Sequence, residues 1–220
     1  MSIAFISDLH LEPVESDRLI AFIDFMAKAP QKYDSLYIIG DLFEYWVGDD
    51  DPHPINQLIQ NKIKDAIGQG LSIYFIHGNR DFLLGSEFEK NTGLRIIDDM
   101  TVIKDSGISL MIAHGDSFCT DDIEYQALKK SLRSEEWKKD FLQKPIAERI
   151  AFADDLRAKS AESSSNKAEN IMDVNKSYVA EVIEKHKIDF LIHGHTHRPA
   201  IHKLDNLSLI HISEPTRRRH

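Results

Sequence analysis

A single cysteine, Cys119, stands among the 220 residues. One thiol leaves no disulfide framework within the chain, which fits a reducing cytoplasm, and Cys119 reads as a small buried hydrophobe rather than a nucleophile. Long hydrophobic runs are also missing: none approaches the ~20 residues of a membrane-spanning helix. The first apolar run, Ile3-Ala4-Phe5-Ile6, is interrupted at Asp8 and has no basic stretch before it, so it does not read as a signal peptide. Positive charge is in deficit, with a formal net charge of −9. That balance argues against general affinity for nucleic acid, whose binding rests on neutralising phosphates. A chain of this length suits one domain with room for an insertion, and it can bury a sizeable core.

What is present is a set of polar residues at strand ends. Ile3 to Ile6 leads into Asp8 and His10, Leu36-Tyr37-Ile38-Ile39 into Asp41, Ile73-Tyr74-Phe75-Ile76 into Asn79, Leu110-Met111-Ile112-Ala113 into His114, and Phe190-Leu191-Ile192 into His195 and His197. In an open α/β sheet the crevice outside the carboxyl ends of the strands collects such groups although they are far apart in sequence. Asp8 with His10, and His195 with His197, are spaced i and i+2, on one face of an extended segment. Carboxylate, imidazole and carboxamide ligands without thiolate suit divalent ions such as Mn, Fe or Zn. Two ions about 3.5–4 Å apart clamp a phosphoryl group and generate a hydroxide nucleophile at neutral pH. Taken singly, each of these residues reads as a turn former or a satisfied polar group; their joint occurrence at five strand ends points to a two-metal phosphoesterase.

Helix-like segments at roughly 16–29, 55–69, 82–91, 121–133 and 172–187 alternate with these strands, which predicts an α/β fold with substantial parallel pairing. Asp49, Asp50 and Asp51 before Pro52 read as a solvated turn. The stretch from Asp121 to Asn170 breaks the alternation as all helix and loop, with Pro145 starting a helix and Ser163, Ser164 and Ser165 marking a loop. Within it Trp137 with Phe141, and Ile146 with Ile150, Ala153 and Leu156, form an apolar stripe at helical spacing. Core packing is the first reading of such a stripe. The functional reading is a cap over the metal site that holds acyl chains, each buried methylene contributing about 0.8 kcal/mol. Lys129, Lys130, Arg133, Lys138, Lys139, Lys144, Arg149, Arg157, Lys159 and Lys167 give the insertion a denser set of basic side chains than the rest of the chain.

The order D-x-H, G-D, G-N-x-D, H-G and G-H-T-H resembles the calcineurin-like metallophosphoesterases. Finer matches, at residues 43–52 (FEYWVGDDDP), 77–84 (HGNRDFLL), 114–122, 171–175 (IMDVN) and 193–199 (HGHTHRP), are similar to the UDP-2,3-diacylglucosamine diphosphatases of lipid A synthesis, over residues 1 to about 203. The resemblance implies a β-sandwich flanked by helices, with core at 1–120 and 171–206 and a helical cap at 121–170. It implies two Mn ions, release of UMP and 2,3-diacylglucosamine 1-phosphate, and a peripheral enzyme on the cytoplasmic face of the inner membrane with no protein partner. The expected ligand sets are Asp8, His10, Asp41 and His197 for one ion, and Asp41, Asn79, His114 and His195 for the other, with Asp41 as the bridge because it follows a strand and a glycine with no partner of its own. Substrate contacts carry over to Asn79, Arg80, Asp122, Tyr125, Arg157, Ser160, Ser164, Lys167 and His195, although the family pattern has asparagine where Ser164 stands. His77 and His193 are expected to pack or to support ligands.

Arg80 discriminates among phosphoesterases. Many relatives that cleave phosphomonoesters carry histidine after Gly-Asn, a proton donor for a poor alkoxide leaving group; arginine cannot donate a proton near neutral pH. A diphosphate leaves as phosphate, whose second pKa is about 6, so it needs charge stabilisation from arginine instead. The rival readings are another metallophosphoesterase, such as a nucleotide diphosphate hydrolase, and a noncatalytic scaffold on the same fold; the intact ligand set argues against the scaffold.

After His202 the chain departs from the family pattern. Residues 207–220, LSLIHISEPTRRRH, resemble the translation of a sequencing-library adapter, which predicts a non-native tail on a gene truncated near Asn206, missing C-terminal strands and an unpaired sheet edge.

Overall fold

Strand and helix alternate through the first half of the computed structural model, which describes residues 2–105, 107–166, 173–198, 200–204 and 207–211, with backbone alone for 161, 163–166, 202–204 and 207–211. Strands β1 (Ile3–Ile6), β2 (Ser35–Ile39), β3 (Ser72–Ile76) and β4 (Arg95–Ile96) form a parallel sheet in that order, linked by helices α1 (Asp17–Lys28), α2 (Pro54–Gly68) and α3 (Ser86–Thr92). The helix boundaries follow local chemistry. Ser16 caps α1 by accepting from the Leu19 N–H, Pro54 opens α2 where no amide donor is needed, and Gly93, at φ 85°, ends α3. The helix expected from 82 begins at Ser86, because residues 82–84 turn back so that Leu84 N–H reaches the Asp81 carbonyl.

A second, mixed sheet runs β5-β6-β7-β9-β8, with β5 (Thr101–Asp105), β6 (Ile108–Ala113), β7 (Phe190–His193), β8 (Ala200–Leu204) and β9 (Leu207–His211). Pairing is parallel for β6 with β7 and for β7 with β9, and antiparallel at both hairpins. The alternation of each strand sorts its side chains into three layers. Leu36, Ile38 and Phe75 face the helices of the first sheet; Ile39, Ile76, Ile112 and Ile192 meet between the sheets; Met111 and Leu191 face α7 (Lys176–His186) through Val179 and Val182. This is the α/β sandwich with flanking helices expected from the sequence.

Between β6 and α7 lie α4 (Ile123–Leu132), α5 (Glu135–Leu142) and α6 (Ile146–Asn166). Pro145 stands one residue before α6, as expected, but residues 163–165 continue that helix rather than forming a loop. Serine costs little in helix propensity, and an established helix propagates through it. Residues 207–211 were expected to lie outside the native sheet and to leave its edge unpaired. Instead they form β9 and pair with β7 from Phe190↔Ser208 to His193↔His211. Among the described residues no helix is long and apolar enough to cross a membrane.

Candidate metal centre and adjoining cleft

Both sheets deliver residues to one point. Asp8 and His10 follow β1, Asp41 follows β2, Asn79 and Arg80 follow β3, His114 follows β6, and His195 and His197 follow β7. The ligand atoms of Asp8, His10 and His197 lie within 4.8 Å of one another, and so do those of Asp8, Asp41 and His114. Oδ2 of Asp41 is 3.8 Å from His10 Nε2 and 3.8 Å from His114 Nε2, midway between the two groups. Oδ1 of Asn79 is 3.0 Å from His114 Nε2 and 3.0 Å from His195 Nδ1, and His10 Nε2 is 3.2 Å from His197 Nε2. All seven residues expected to hold metal therefore converge.

Backbone strain accompanies the convergence. Asp8, His10, Asp41, His195 and His197 have φ of 56, 47, 52, 70 and 52°, a left-handed conformation that side chains other than glycine rarely adopt. Two glycines make room for it. A Cβ on Gly78 would sit 2.1 Å from Asp41 Oδ1, and one on Gly40, itself at φ 79°, would sit 2.5 Å from His114 Nδ1. The G-D and G-N pairs in the sequence thus express close approach of backbone to ligand.

Supporting contacts orient the ligands. Oδ1 of Asp41 accepts from the Arg80 amide at 2.8 Å, which leaves Oδ2 facing the two histidines. Both oxygens of Asp8 accept from the His195 amide, and His114 Nδ1 lies 3.0 Å from the Ile39 carbonyl, so its Nε2 faces the centre. Asp81 is buried and accepts from the amides of Gly78 and Leu42, tying the loops after β2 and β3 together. Burial works against charge on His114, yet Asp41, Asp116 and Asp8 push its pKa up to about 9; burial and the neighbouring His114 push His195 down to about 3. Such a concentration of buried carboxylates around facing imidazole nitrogens fits divalent cations.

A cleft of about 810 Å³, partly continuous with solvent, opens beside this centre. One wall is aromatic: Trp137 stacks on Phe141 at 4.6 Å, and Phe152 meets both at 5.7 and 5.3 Å. Phe141 is also buried in the main core, so the stripe in the insertion serves packing and cleft lining together. Asn79, Arg80, Tyr125, Arg157 and Ser160, five of the expected substrate residues, line the same cleft. Asp122 does not line the cleft; its Oδ1 caps α4 by accepting from the Tyr125 amide at 3.1 Å. His195 adjoins the cleft through Tyr125, 5.9 Å between rings. The Ser164 side chain and Lys167 lie outside the described residues.

Several supporting groups were not singled out from sequence. Asp116 is fully buried and receives the Tyr125 hydroxyl at 2.8 Å, while Lys129 Nζ lies 2.9 Å and Arg133 Nη2 3.5 Å from its oxygens. Tyr125, Lys129 and Arg133 are spaced i, i+4 and i+8, so one face of α4 and its C-cap residue is fastened to Asp116, two residues past His114. Burial alone would raise the Asp116 pKa, but His114, Lys129, His195 and Arg133 hold it well below the usual carboxylate range. The Tyr125 phenol is driven well above its ordinary value, by burial first and then by Asp116, and stays protonated. The acidic run 49–51 does turn, with Asp50 exposed, but all three carboxylates have protein partners. Asp49 accepts from the Trp46 indole and the Gly85 and Phe88 amides, Asp50 pairs with Arg149, and Asp51 is buried against Asn56. Spacing alone could not reveal these partners, which lie up to 99 positions away. Cys119 is buried, and burial pushes its thiol up to about 12, as expected for an inert core cysteine. His77 bonds to the Leu84 carbonyl and His193 contacts the Gly194 carbonyl, both consistent with packing roles.

The chain belongs to the calcineurin-like phosphoesterases, whose family model matches residues 1–199. Its relatives include the UDP-2,3-diacylglucosamine hydrolases of Escherichia coli O7:K1 and Escherichia fergusonii. Each is 45% identical over 204 residues, covering 93% of this chain and 85% of the relative. A solved archaeal phosphodiesterase is 16% identical, with a TM-score of 0.47 over 97% of this chain and 84% of its own. A hydrolase acting on phosphoesters with divalent metals is the class that fold and family define.

Proposed function

We propose that this chain hydrolyses the diphosphate bond of UDP-2,3-diacylglucosamine, releasing UMP and 2,3-diacylglucosamine 1-phosphate, with Mn as the preferred metal. One observation carries the reading: a single cleft joins Asn79, at the edge of the metal-ligand set, and Arg80 to an aromatic cluster of Trp137, Phe141 and Phe152. An amphiphile with a charged diphosphate and acyl chains matches both ends, whereas a simple nucleotide would leave the apolar wall wet.

Asp8, His10, Asp41 and His197 would hold one ion, and Asp41, Asn79, His114 and His195 the other. When bound, two divalent ions acidify the attacking water and neutralise phosphoryl charge. Arg80 lines the cleft beside Asn79, where its guanidinium can pair with phosphate oxygens and offset charge as the bond to phosphorus breaks. Arg157 and Ser160 offer further polar contacts in the same cleft. Tyr125, protonated and bonded to Asp116, keeps its ring beside His195. The acyl chains of the substrate favour work at a membrane surface, and the exposed Ile123 and Leu128 on α4 suit a peripheral contact on the cytoplasmic side.

The test is UMP release from UDP-2,3-diacylglucosamine with added Mn and with chelator, against UDP-glucose as the acyl-free control. Mn-dependent release from the acylated substrate alone is expected. Equal release from both would remove the lipid assignment, and release that persists in chelator would remove the metal.

A further inference from the structure

Glu44 stands where an acidic group is unwelcome. It lines a cleft read as binding a diphosphate, and its side chain is 14% exposed. Its two oxygens are divided between two partners from different parts of the fold. Oε2 lies 3.0 Å from Nδ1 of His10, the ring nitrogen opposite the one that faces the metal centre. Oε1 lies 2.8 Å from Nε of Arg157, which projects from α6 and also stands 5.9 Å over the Tyr45 ring. Glu44 itself is fixed by its amide, which donates to the Leu11 carbonyl at 3.0 Å, one residue past His10. The carboxylate thus spans from a metal-facing histidine to the helical insertion.

A carboxylate beside the non-coordinating nitrogen of a histidine sets the tautomer and aims the ring, and losing such a group typically weakens metal binding about 10–100-fold. Here that group has a second tether. With one oxygen on Arg157, Glu44 cannot follow His10 freely, so the place of α6 bears on the place of the imidazole. Linkage then requires reciprocity: what disturbs the Arg157 contact alters metal affinity, and metal binding favours the docked helix.

We propose that Glu44 is a positioning residue for the ion held by His10, and that its bond to Arg157 couples affinity at that site to the docking of the helical insertion. The inference rests on the two-ion reading above.

Titration calorimetry of the full metal-free chain with Mn tests it without substrate. The wild type is expected to take two ions. Glu44→Ala should weaken one of them about 10–100-fold and leave the other unchanged, and Glu44→Gln, which keeps an acceptor for Nδ1–H, should recover part of the loss. Arg157→Ala should weaken the same ion by a smaller factor. Melting of the metal-free variants at the wild-type temperature would show that the fold is intact. Two ions bound by Glu44→Ala at wild-type affinity would overturn the positioning role, and wild-type affinity in Arg157→Ala would overturn the link to the helix. Failure of the wild type to bind two ions would instead overturn the two-ion reading itself, and this proposal with it.

Discussion

Arg149 of α6, only 2% exposed, reaches across to Asp50: Nη1 lies 2.7 Å from Oδ1, Nη2 meets Oδ2, and Nη1 also donates to the Val47 carbonyl at 2.7 Å. The helical insertion is therefore pinned to the loop after β2 by a buried cation whose partner is 59% exposed. The asymmetry sets the order of damage. Asp50→Ala strands a buried guanidinium and should cost on the order of 3 kcal/mol, whereas Arg149→Met leaves a carboxylate that water can reach and should cost less. Urea unfolding of both variants checks the order. The Arg149 hydrogen bond holds the Asp50 pKa below its ordinary value. Its stabilisation is therefore present above the ordinary carboxylate range and lost as pH falls through the lowered value, so wild type should lose more stability below about pH 4 than Arg149→Met.

Asp41 sits between both ligand groups. Replacing it with alanine should reduce UMP release by about 10³-fold or more, since the several kcal/mol of charge stabilisation from the metal pair depends on it. Mn stoichiometry should fall in parallel; a fully active Asp41→Ala variant would end the bridging role.

Arg80 is expected to act on turnover more than on binding. Arg80→Ala should lower kcat about 10²–10³-fold, the range seen when a donor to developing charge is removed. Arg80→Lys should recover a part only, because a point charge does not reproduce the planar fork. A change confined to KM would argue that the guanidinium binds substrate without favouring the transition state.

Phe152 is 37% exposed at the mouth of the aromatic wall, so its loss should spare the fold. Phe152→Ala should raise KM for the diacylated substrate about 10-fold, in keeping with 1.5–3 kcal/mol for burying a large apolar side chain (roughly, at the low end). Turnover of an acyl-free analogue should not change. Equal loss on both substrates would move Phe152 out of the acyl site.

The fold and the metal ligands were legible because each ligand follows its own apolar run: Asp41 after 36–39 and His114 after 110–113 need no knowledge of the partner strand. The two-residue β4 and the hairpin strand β5 are not legible in the sequence, since neither carries a strong pattern of its own. Contacts made across the fold were not legible. Asp116 carries no signal of its own in the sequence, and its partners Tyr125, Lys129 and Arg133 appear only once α4 packs over it, as the Arg149 partner of Asp50 appears only once α6 is in place. The run 163–165 reads as loop in the sequence yet continues α6, because serine is favoured in loops but tolerated in a long helix.

The ligands span positions 8 to 197, with the first four on one sheet and the last three on the other. On the ribosome, where the chain folds from its N-terminal end, Asp8, His10, Asp41 and Asn79 emerge long before His195 and His197. A nascent chain that has completed only its first sheet has half a centre and no cleft. Competence for chemistry therefore arrives late in synthesis, when β7 docks beside β6, and until then a growing chain cannot act on substrate.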